Sequence, residues 1–220
     1  MARRVYALLL PALLLLPLPG ARRGGWATIT VEEVPDFVQA GTALPLTFMV
    51  RQHGVTPLQG LHPVIEARAG TLTARADAEA GRQTGRYSGS IVLPEPGDWV
   101  ITIQSGFGNS KLALLPIRVI PTAAAAPPPL PESERGRRTF VSKGCVGCHT
   151  RGDVDVGAGA AIAPVLTGKR YAAEWLRRFL ADPAANATHS GTFRMPNLGL
   201  RPAEIGALVE FLNADRAGSR

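Results

Sequence analysis

Two patterns of hydrophobic residues follow one another along this 220-residue chain. From residue 28 to about residue 120, apolar and polar residues alternate with the two-residue period of β-strands, and glycines separate the runs. Short, closely spaced runs with no helical pattern between them are typical of a small antiparallel sandwich. The seven predicted strands are 28–34, 44–52, 63–69, 71–77, 86–94, 98–105 and 111–120.

The same alternation predicts the core of this sandwich. Successive side chains of a strand point to opposite faces of the sheet, so every second residue of a run belongs to the buried face. The residues expected to face inward are Leu46, Phe48, Val50, Val64, Ile91, Leu93, Trp99, Ile101 and Ile103.

Residues 132–220 change to the helical period. Helices are predicted at about 133–143 and 171–180, and a last helix begins at Pro202, a residue favoured in the first helical turn. The apolar residues of the last helix follow the i, i+3, i+4, i+7 spacing that places them on one face. They are Ile205, Leu208, Val209 and Leu212.

The boundary between the two patterns is the low-complexity segment 121–131, PTAAAAPPPLP. Clustered proline prevents both helix and sheet hydrogen bonding, which favours an extended, semi-stiff spacer. The sequence therefore predicts a β-sandwich domain at 28–120, a linker at 121–131 and an α-helical domain at 132–220.

Residues 1–27 resemble an export signal. A short basic start at Arg3 and Arg4 precedes an apolar run of 14 residues, 5–18, which is too short for an ordinary membrane span. Small residues near Ala21 or Ala27 offer cleavage sites. Arg22 and Arg23 are unusual after such a run, and an uncleaved membrane anchor is therefore the alternative. Either way, we expect the rest of the chain to be periplasmic or on the outer face of the cytoplasmic membrane.

The net charge of +7 is unevenly spread. The first 27 residues carry four arginines and no acid, the sandwich is nearly neutral, and residues 132–220 have thirteen basic and nine acidic groups. This last excess fits either simple solubility or a docking face for an acidic partner. Basic residues do not alternate with aromatic ones, which argues against nucleic-acid binding.

Both cysteines of the chain lie in KGCVGCHT, residues 143–150. Cys-x-x-Cys-His is the attachment signature of c-type haem, in which Cys145 and Cys148 each form a thioether with a porphyrin vinyl group. His149 then lies under the iron as its proximal ligand. The sequence thus predicts one covalent haem c.

Three other uses of the cysteines compete with haem attachment. A disulfide is possible in an exported protein, but a bridge closing so short a loop removes little entropy from the unfolded chain. A thioredoxin-like pair needs an α/β domain, and a zinc site needs two more ligands at motif spacing. Neither the α/β domain nor the further zinc ligands are evident in the sequence.

Met195 is the candidate for the second axial iron ligand. It is the only methionine in residues 132–220 and lies in a Gly- and Pro-flanked loop before the last helix. Met–His ligation raises the reduction potential of electron-carrying cytochromes. The alternatives are a Met195 that only packs against the haem, and His189 as the ligand in its place.

With these motifs, about 134–214 resembles the class I cytochromes c, an all-α fold. Gly136 and Phe140 match the family's first helix, where the glycine lets the first and last helices cross closely, and Phe211 matches the aromatic that packs at the crossing. Ala163 stands where glycine is usual, and Arg201 stands at the last helix cap, where Ser, Thr or Asp is preferred.

The resemblance also implies site roles. APVLTG, 163–168, is similar to the family's loop whose proline carbonyl, here that of Pro164, accepts a hydrogen bond from His149. Trp175 resembles the aromatic near the haem propionates, and FRMPNLG resembles the loop that carries the methionine ligand, Met195.

Residues 28–120 resemble the YtkA-like domains, immunoglobulin-like sandwiches of exported bacterial proteins, on the run GRYSGSIVLPEPGDWVITI. Met49, His53 and His62 are of types that bind copper, and a regular strand would place Met49 and His53 on one face. No cysteine is present for a blue-copper centre. We expect the three to be structural or solvated and the sandwich to position the haem domain.

These observations predict an exported electron-transfer protein, not an enzyme, whose partners are redox proteins such as a membrane oxidase, reductase or dehydrogenase. Membrane association through the N-terminus is possible. Two alternatives remain: a haem-c peroxidase or gas-ligand sensor with an open distal site, and a copper-handling sandwich with an accessory haem.

Overall fold

The computed structural model describes residues 25–152, 154, 162–186 and 194–214. Residues 27–120 form β-sheets only, and the described residues from 132 to 213 form helices and connecting loops. This confirms the predicted order of an all-β part followed by an all-α part. Nearly all of the predicted export signal lies outside the described residues.

The β part consists of two sheets. One has the strand order β1-β3-β8-β7, with β4 paired to β3, and the other has the order β2-β11-β9-β5-β6, with β10 paired to β9. All pairs are antiparallel except β2 with β11. The strands are β1 Ala27–Val31, β2 Phe37–Gln39, β3 Ala43–Gln52, β4 Thr56–Pro57, β5 Val64–Ala69, β6 Leu72–Asp77, β7 Glu79–Ala80, β8 Arg86–Val92, β9 Gly97–Gln104, β10 Lys111–Ala113 and β11 Ile117–Ile120.

The sandwich core follows the predicted alternation with one exception. All the residues expected to face inward are buried except Val64, which is half-buried. Its neighbours in β5, Ile65 and Ala67, are the buried residues. The prediction at Val64 was therefore wrong by one residue, because the run VIEARA buries its second and fourth residues rather than its first.

The predicted strand at 111–120 is two strands. β10 pairs with β9 at Leu112 and Ile103, whereas β11 pairs with β9 at Trp99 and with β2. Pro116 lies between them, where its missing N–H would break a continuous ladder. The short strands β2, β4 and β7 have too few residues to show an alternating pattern.

The helical part is organised around one helix crossing. α1 and α4 meet at Gly136, where a β-carbon would overlap the carbonyl oxygen of Ala207 and lie 2.6 Å from Cβ of Phe211. The rings of Phe140 and Phe211 pack 5.6 Å apart beside this point. The helices are α1 Glu132–Ser142, α2 Ala173–Ala181, α3 Pro183–Asn186 and α4 Pro202–Asn213.

The Pro-rich segment 121–131 has no helix or strand, as its composition predicted. Near its ends it is hydrogen-bonded to the sandwich: Thr122 Oγ1 donates to the carbonyl of Ala40 at 2.9 Å, and the amide of Leu130 donates to Asp36 at 3.3 Å. The described residues contain no helix that is long and apolar enough to cross a membrane.

Candidate haem site

The cysteine motif lies on one tight turn. Gly144 ends the turn after α1 in the left-handed region, with φ of +75°, and Cys145–Gly147 form a single 3-10 turn. The amides of Cys148 and His149 both donate to the carbonyl of Cys145, at 3.1 and 2.9 Å. The local hydrogen bonds therefore hold both thiols and the imidazole on one short, compact segment.

Both cysteines are free thiols, although they are three residues apart. Burial raises the pKa of the Cys145 thiol to about 12, and the neighbouring Cys148 adds to this rise. Burial also raises the pKa of Cys148. Redox-active Cys-x-x-Cys pairs need a lowered thiol pKa, so this environment argues against a thioredoxin-like role.

The imidazole of His149 is oriented by a backbone carbonyl. Its Nδ1 lies 2.9 Å from the carbonyl oxygen of Pro164, the contact that the family resemblance implies. Burial lowers the pKa of His149, although the bond to Pro164 opposes this shift. With Nδ1–H donating to a carbonyl, Nε2 is left as the lone-pair nitrogen, which is the form of imidazole that binds a metal.

The loop that supplies this carbonyl is fixed to the motif by further hydrogen bonds. The amide of Ala163 donates to the carbonyl of Cys148 at 3.2 Å, and that of Leu166 donates to the carbonyl of Thr150 at 2.9 Å. Alanine in place of the usual glycine at 163 therefore leaves the loop in contact with the motif.

The other predicted site residues are partly buried. Met195 and Trp175 both pack against the hydrophobic core. Trp175 lies in an aromatic row along α2, stacked at 5.8 Å on Tyr171 and at 5.1 Å on Phe179. His189 lies outside the described residues. The roles of Met195 as iron ligand and Trp175 as propionate neighbour stay predictions.

The copper-type residues of the sandwich do not form a cluster. Met49 is buried in β3, whereas His53 is exposed in the turn after β3 with φ of +52°, 5.6 Å from the ring of Trp26. The regular strand that would place the two on one face ends before His53. In the described part of the chain, no three His, Cys, Asp or Glu residues are arranged to hold a metal ion.

Two charged residues near the motif are buried and were not predicted. The Lys143 ammonium forms an ion pair with Glu204 at 2.9 Å, and their exposures are only 6 % and 9 %. Glu204 also accepts a hydrogen bond from the amide of Arg201 at 2.8 Å, which is the glutamate half of a capping box, although the Arg201 guanidinium cannot accept from the first-turn amides. A glutamate in the first turn was the available sequence signal for this cap.

Arg151 is the third buried charge. Its guanidinium lies 4.3 Å from the centre of the Phe211 ring and donates to the carbonyl of Phe211 at 2.8 Å. It also reaches the carbonyl of Leu212 at 3.5 Å. A cation at the C-terminus of α4 satisfies carbonyls that the helix itself leaves free and complements the helix dipole.

These residues fit a haem c. The donor set comprises two uncombined thiols on one turn, a neutral oriented imidazole and a partly buried thioether, which is the set that a covalent haem with Met–His ligation requires.

Comparison with known proteins agrees with this geometry. The family model for cytochrome c matches residues 133–214, and no curated protein matches the chain. The solved structures with a weak likeness include three S-layer chains. Surface layer protein SbsC domains 1–6 has 20 % identity and a TM-score of 0.34, and the match covers 45 % of this chain and 13 % of that one. S-layer protein SbsC domains 4 and 5 has 20 % identity and a TM-score of 0.32, with 42 % of this chain and 51 % of that one covered. S-layer protein rSbsC(31-844) has 18 % identity and a TM-score of 0.34, with 45 % of this chain and 13 % of that one covered.

The chain thus spans about one eighth to one half of those S-layer chains, and TM-scores this low support no argument about fold or function. The family match covers the whole helical part, including the cysteine turn, the carbonyl that orients the imidazole and the close helix crossing. Residues 133–214 of this chain therefore form a cytochrome c domain, which follows the N-terminal β-sheets.

Proposed function

We propose that the protein is an exported mono-haem c-type cytochrome that passes single electrons between redox partners, with its haem domain carried on the β-sandwich. The observation that supports this most is the 2.9 Å contact between His149 Nδ1 and Pro164, on the same turn that bears both cysteines. It leaves one imidazole nitrogen for iron beside the two thiols that would hold the porphyrin.

In this proposal four residues hold the cofactor. Cys145 and Cys148 would attach it through thioethers, His149 would supply Nε2 to the iron, and Met195 would supply a thioether sulfur as the second protein ligand. The bound haem supplies an iron that alternates between the ferrous and ferric states. The chain itself orients the imidazole of His149 through the carbonyl of Pro164 and would supply the protein ligands of the iron.

The N-terminal sequence supports a location outside the cytoplasm, and the charge of the haem domain supports an acidic partner. The basic start and 14-residue apolar run at the N-terminus support export, with or without retention as a membrane anchor. The excess of basic over acidic residues in 132–220 supports docking to an acidic surface of a redox partner. A membrane oxidase, reductase or dehydrogenase would provide such a partner on the same side of the membrane.

The distal ligand is tested by comparing Met195→Leu with Met49→Leu. Both substitutions replace a thioether by an apolar side chain of similar volume, but Met49 lies in the sandwich. We expect the oxidised wild type and Met49→Leu to show the weak far-red charge-transfer band of Met–iron ligation, and Met195→Leu to lack it and to have a lower reduction potential.

The same samples separate electron transfer from the alternative of an open distal site. A six-coordinate reduced wild type that binds carbon monoxide poorly supports the proposal. Tight carbon monoxide binding by the wild type would contradict it and favour a gas-ligand or peroxidase function. A far-red band that survives in Met195→Leu would exclude Met195 as the ligand.

A further inference from the structure

Strand β1 of the sandwich lies directly against the segment that carries the cysteines. A β-carbon on Gly144 would be 2.6 Å from the carbonyl oxygen of Ile29 and 2.7 Å from Cγ2 of Thr28, so only a glycine allows this approach. Thr30 Oγ1 also donates to the carbonyl of Lys143 at 3.4 Å. The attachment segment therefore has the backbone of the sandwich as one of its walls.

The Lys143 side chain extends this contact to α4. Its ammonium donates to the carbonyl oxygen of Glu32, just beyond β1, at 2.7 Å and pairs with Glu204 at 2.9 Å. Glu204 in turn holds the amide of Arg201, the residue at which the Met195 loop ends. Arg201 also lies 3.5 Å from Glu33. One buried lysine thus links the sandwich, the start of the cysteine motif and the end of the distal loop.

The turn after β3 lies beside the distal loop. Gly54 is buried, and a β-carbon on it would lie 3.6 Å from Cγ of Pro196, the residue that follows Met195. The sandwich therefore contacts the attachment segment directly and lies beside the loop that bears Met195. A methionine sulfur is a weak iron ligand, so its occupancy depends on how well the surrounding loop is held.

We propose that the sandwich is a built-in positioning element for the haem domain: β1 and the turn at 53–54 hold the attachment segment and the Met195 loop in one fixed relation, so that ligation by Met195 depends on the contact between the domains. This inference rests on the proposed haem function. Gly54 and Lys143 are positioning residues in it, since neither touches the ligand atoms.

The test uses two sandwich variants in the full-length holoprotein, Gly54→Asn and Gly41→Asn. The two glycines have nearly the same backbone conformation, with φ of +76° and +75°, and asparagine tolerates this region. They differ in their surroundings, because Gly54 faces Pro196 whereas nothing lies within 4 Å of a β-carbon on Gly41. Because an added β-carbon is already at contact distance from Pro196, only Gly54→Asn should place further side-chain atoms against the distal loop.

The readouts are the far-red Met–iron band and the affinity of the oxidised protein for cyanide, which competes with the methionine. Coupling between separate sites typically changes an affinity about 5- to 150-fold, and we expect Gly54→Asn to bind cyanide about tenfold more tightly and to have a weaker band. Gly41→Asn should match the wild type in both measurements.

A second pair of variants approaches the interface from the haem side. Gly144→Ala introduces a methyl group against β1, whereas Gly168→Ala places one at the similar φ of +67° with nothing within 4 Å. Gly144→Ala should reproduce the effect of Gly54→Asn, and Gly168→Ala should not. This pair also covers the case in which Gly54→Asn does not fold.

The outcomes separate this inference from the proposed function. If the variants carry covalent haem and Gly54→Asn and Gly144→Ala match their controls in band and cyanide affinity, the sandwich does not position the ligand, although the cytochrome function stands. If the wild type itself shows no Met–iron band, Met195 is not the iron ligand, and the proposed positioning role of the sandwich is then also wrong.

Discussion

Because α1 and α4 cross closely at Gly136, replacing glycine by alanine should destabilise the protein at Gly136 but stabilise it at Gly206. Replacing a glycine by alanine inside a helix ordinarily stabilises it by about 0.5–1 kcal/mol. Gly206, in α4, has nothing within 4 Å of an added β-carbon, so Gly206→Ala should show this gain. At Gly136 the same methyl group meets the partner helix.

The cost at Gly136 follows from the contact distances. A β-carbon there would lie 2.6 Å from Cβ of Phe211 and overlap the carbonyl oxygen of Ala207, whereas ordinary contacts begin near 3.4 Å. The helices would have to separate by about 1 Å, which disturbs the packing of Phe140 on Phe211. Overpacking of this kind costs about 1–3 kcal/mol, and contact with rigid backbone favours the upper end.

After the gain in helix propensity is subtracted, Gly136→Ala should lower the free energy of unfolding by about 2 kcal/mol. The assay is urea denaturation of the full-length holoprotein, followed by helical circular dichroism, with Gly206→Ala as the matched control. Equal shifts for the two variants, or a stabilised Gly136→Ala, would refute the claim that the helices cross in contact at Gly136.

Three further predictions concern buried groups. Burial alone would raise the pKa of Glu204, but hydrogen bonds from a backbone amide and from Lys143 outweigh it and leave the pKa below its ordinary value of 4.5. The stabilisation from the ionised Glu204 carboxylate is therefore present above about pH 4.5 and is lost as the pH falls through the pKa of Glu204 in the folded protein. In urea denaturation, Glu204→Gln should lower the free energy of unfolding by about 2–3 kcal/mol at pH 7 and by progressively less below pH 4. Arg151→Met should lower stability by about 1–2 kcal/mol, measured in the same way, because it leaves carbonyls at the end of α4 without their donor. Val64→Thr should cost less than 1 kcal/mol in thermal unfolding whereas Ile65→Thr, at a fully buried position, should cost about 2–3, and equal losses would mean that the register of β5 is wrong.

The elements with a strong period were predictable from sequence. The alternation in 44–52 and 98–105 and the helical spacing after Pro202 come within one residue of β3, β9 and α4. The cysteine motif likewise predicts the centre of the candidate site, because that chemistry depends on residue types at fixed local spacing, and the resemblance at Gly136 and Phe211 predicted the helix crossing.

The interface between the domains was not predictable. Lys143 and Glu204 are 61 positions apart, and as isolated charges in a sequence they are expected on the surface. Their burial depends on the fold bringing α1, α4 and β1 together, which no local pattern encodes. The same holds for Arg151, whose partners are backbone carbonyls at the far end of the chain.

The central claim is that a haem is covalently bound to the turn at 145–149. It is tested most directly by the mass and visible spectrum of the mature protein, purified from cells able to attach haem c and then denatured. We expect a mass increased by one haem, retained after unfolding and located on the peptide containing Cys145 and Cys148, with the spectrum of a c-type haem. A colourless protein whose two thiols are free or joined to each other would contradict the account.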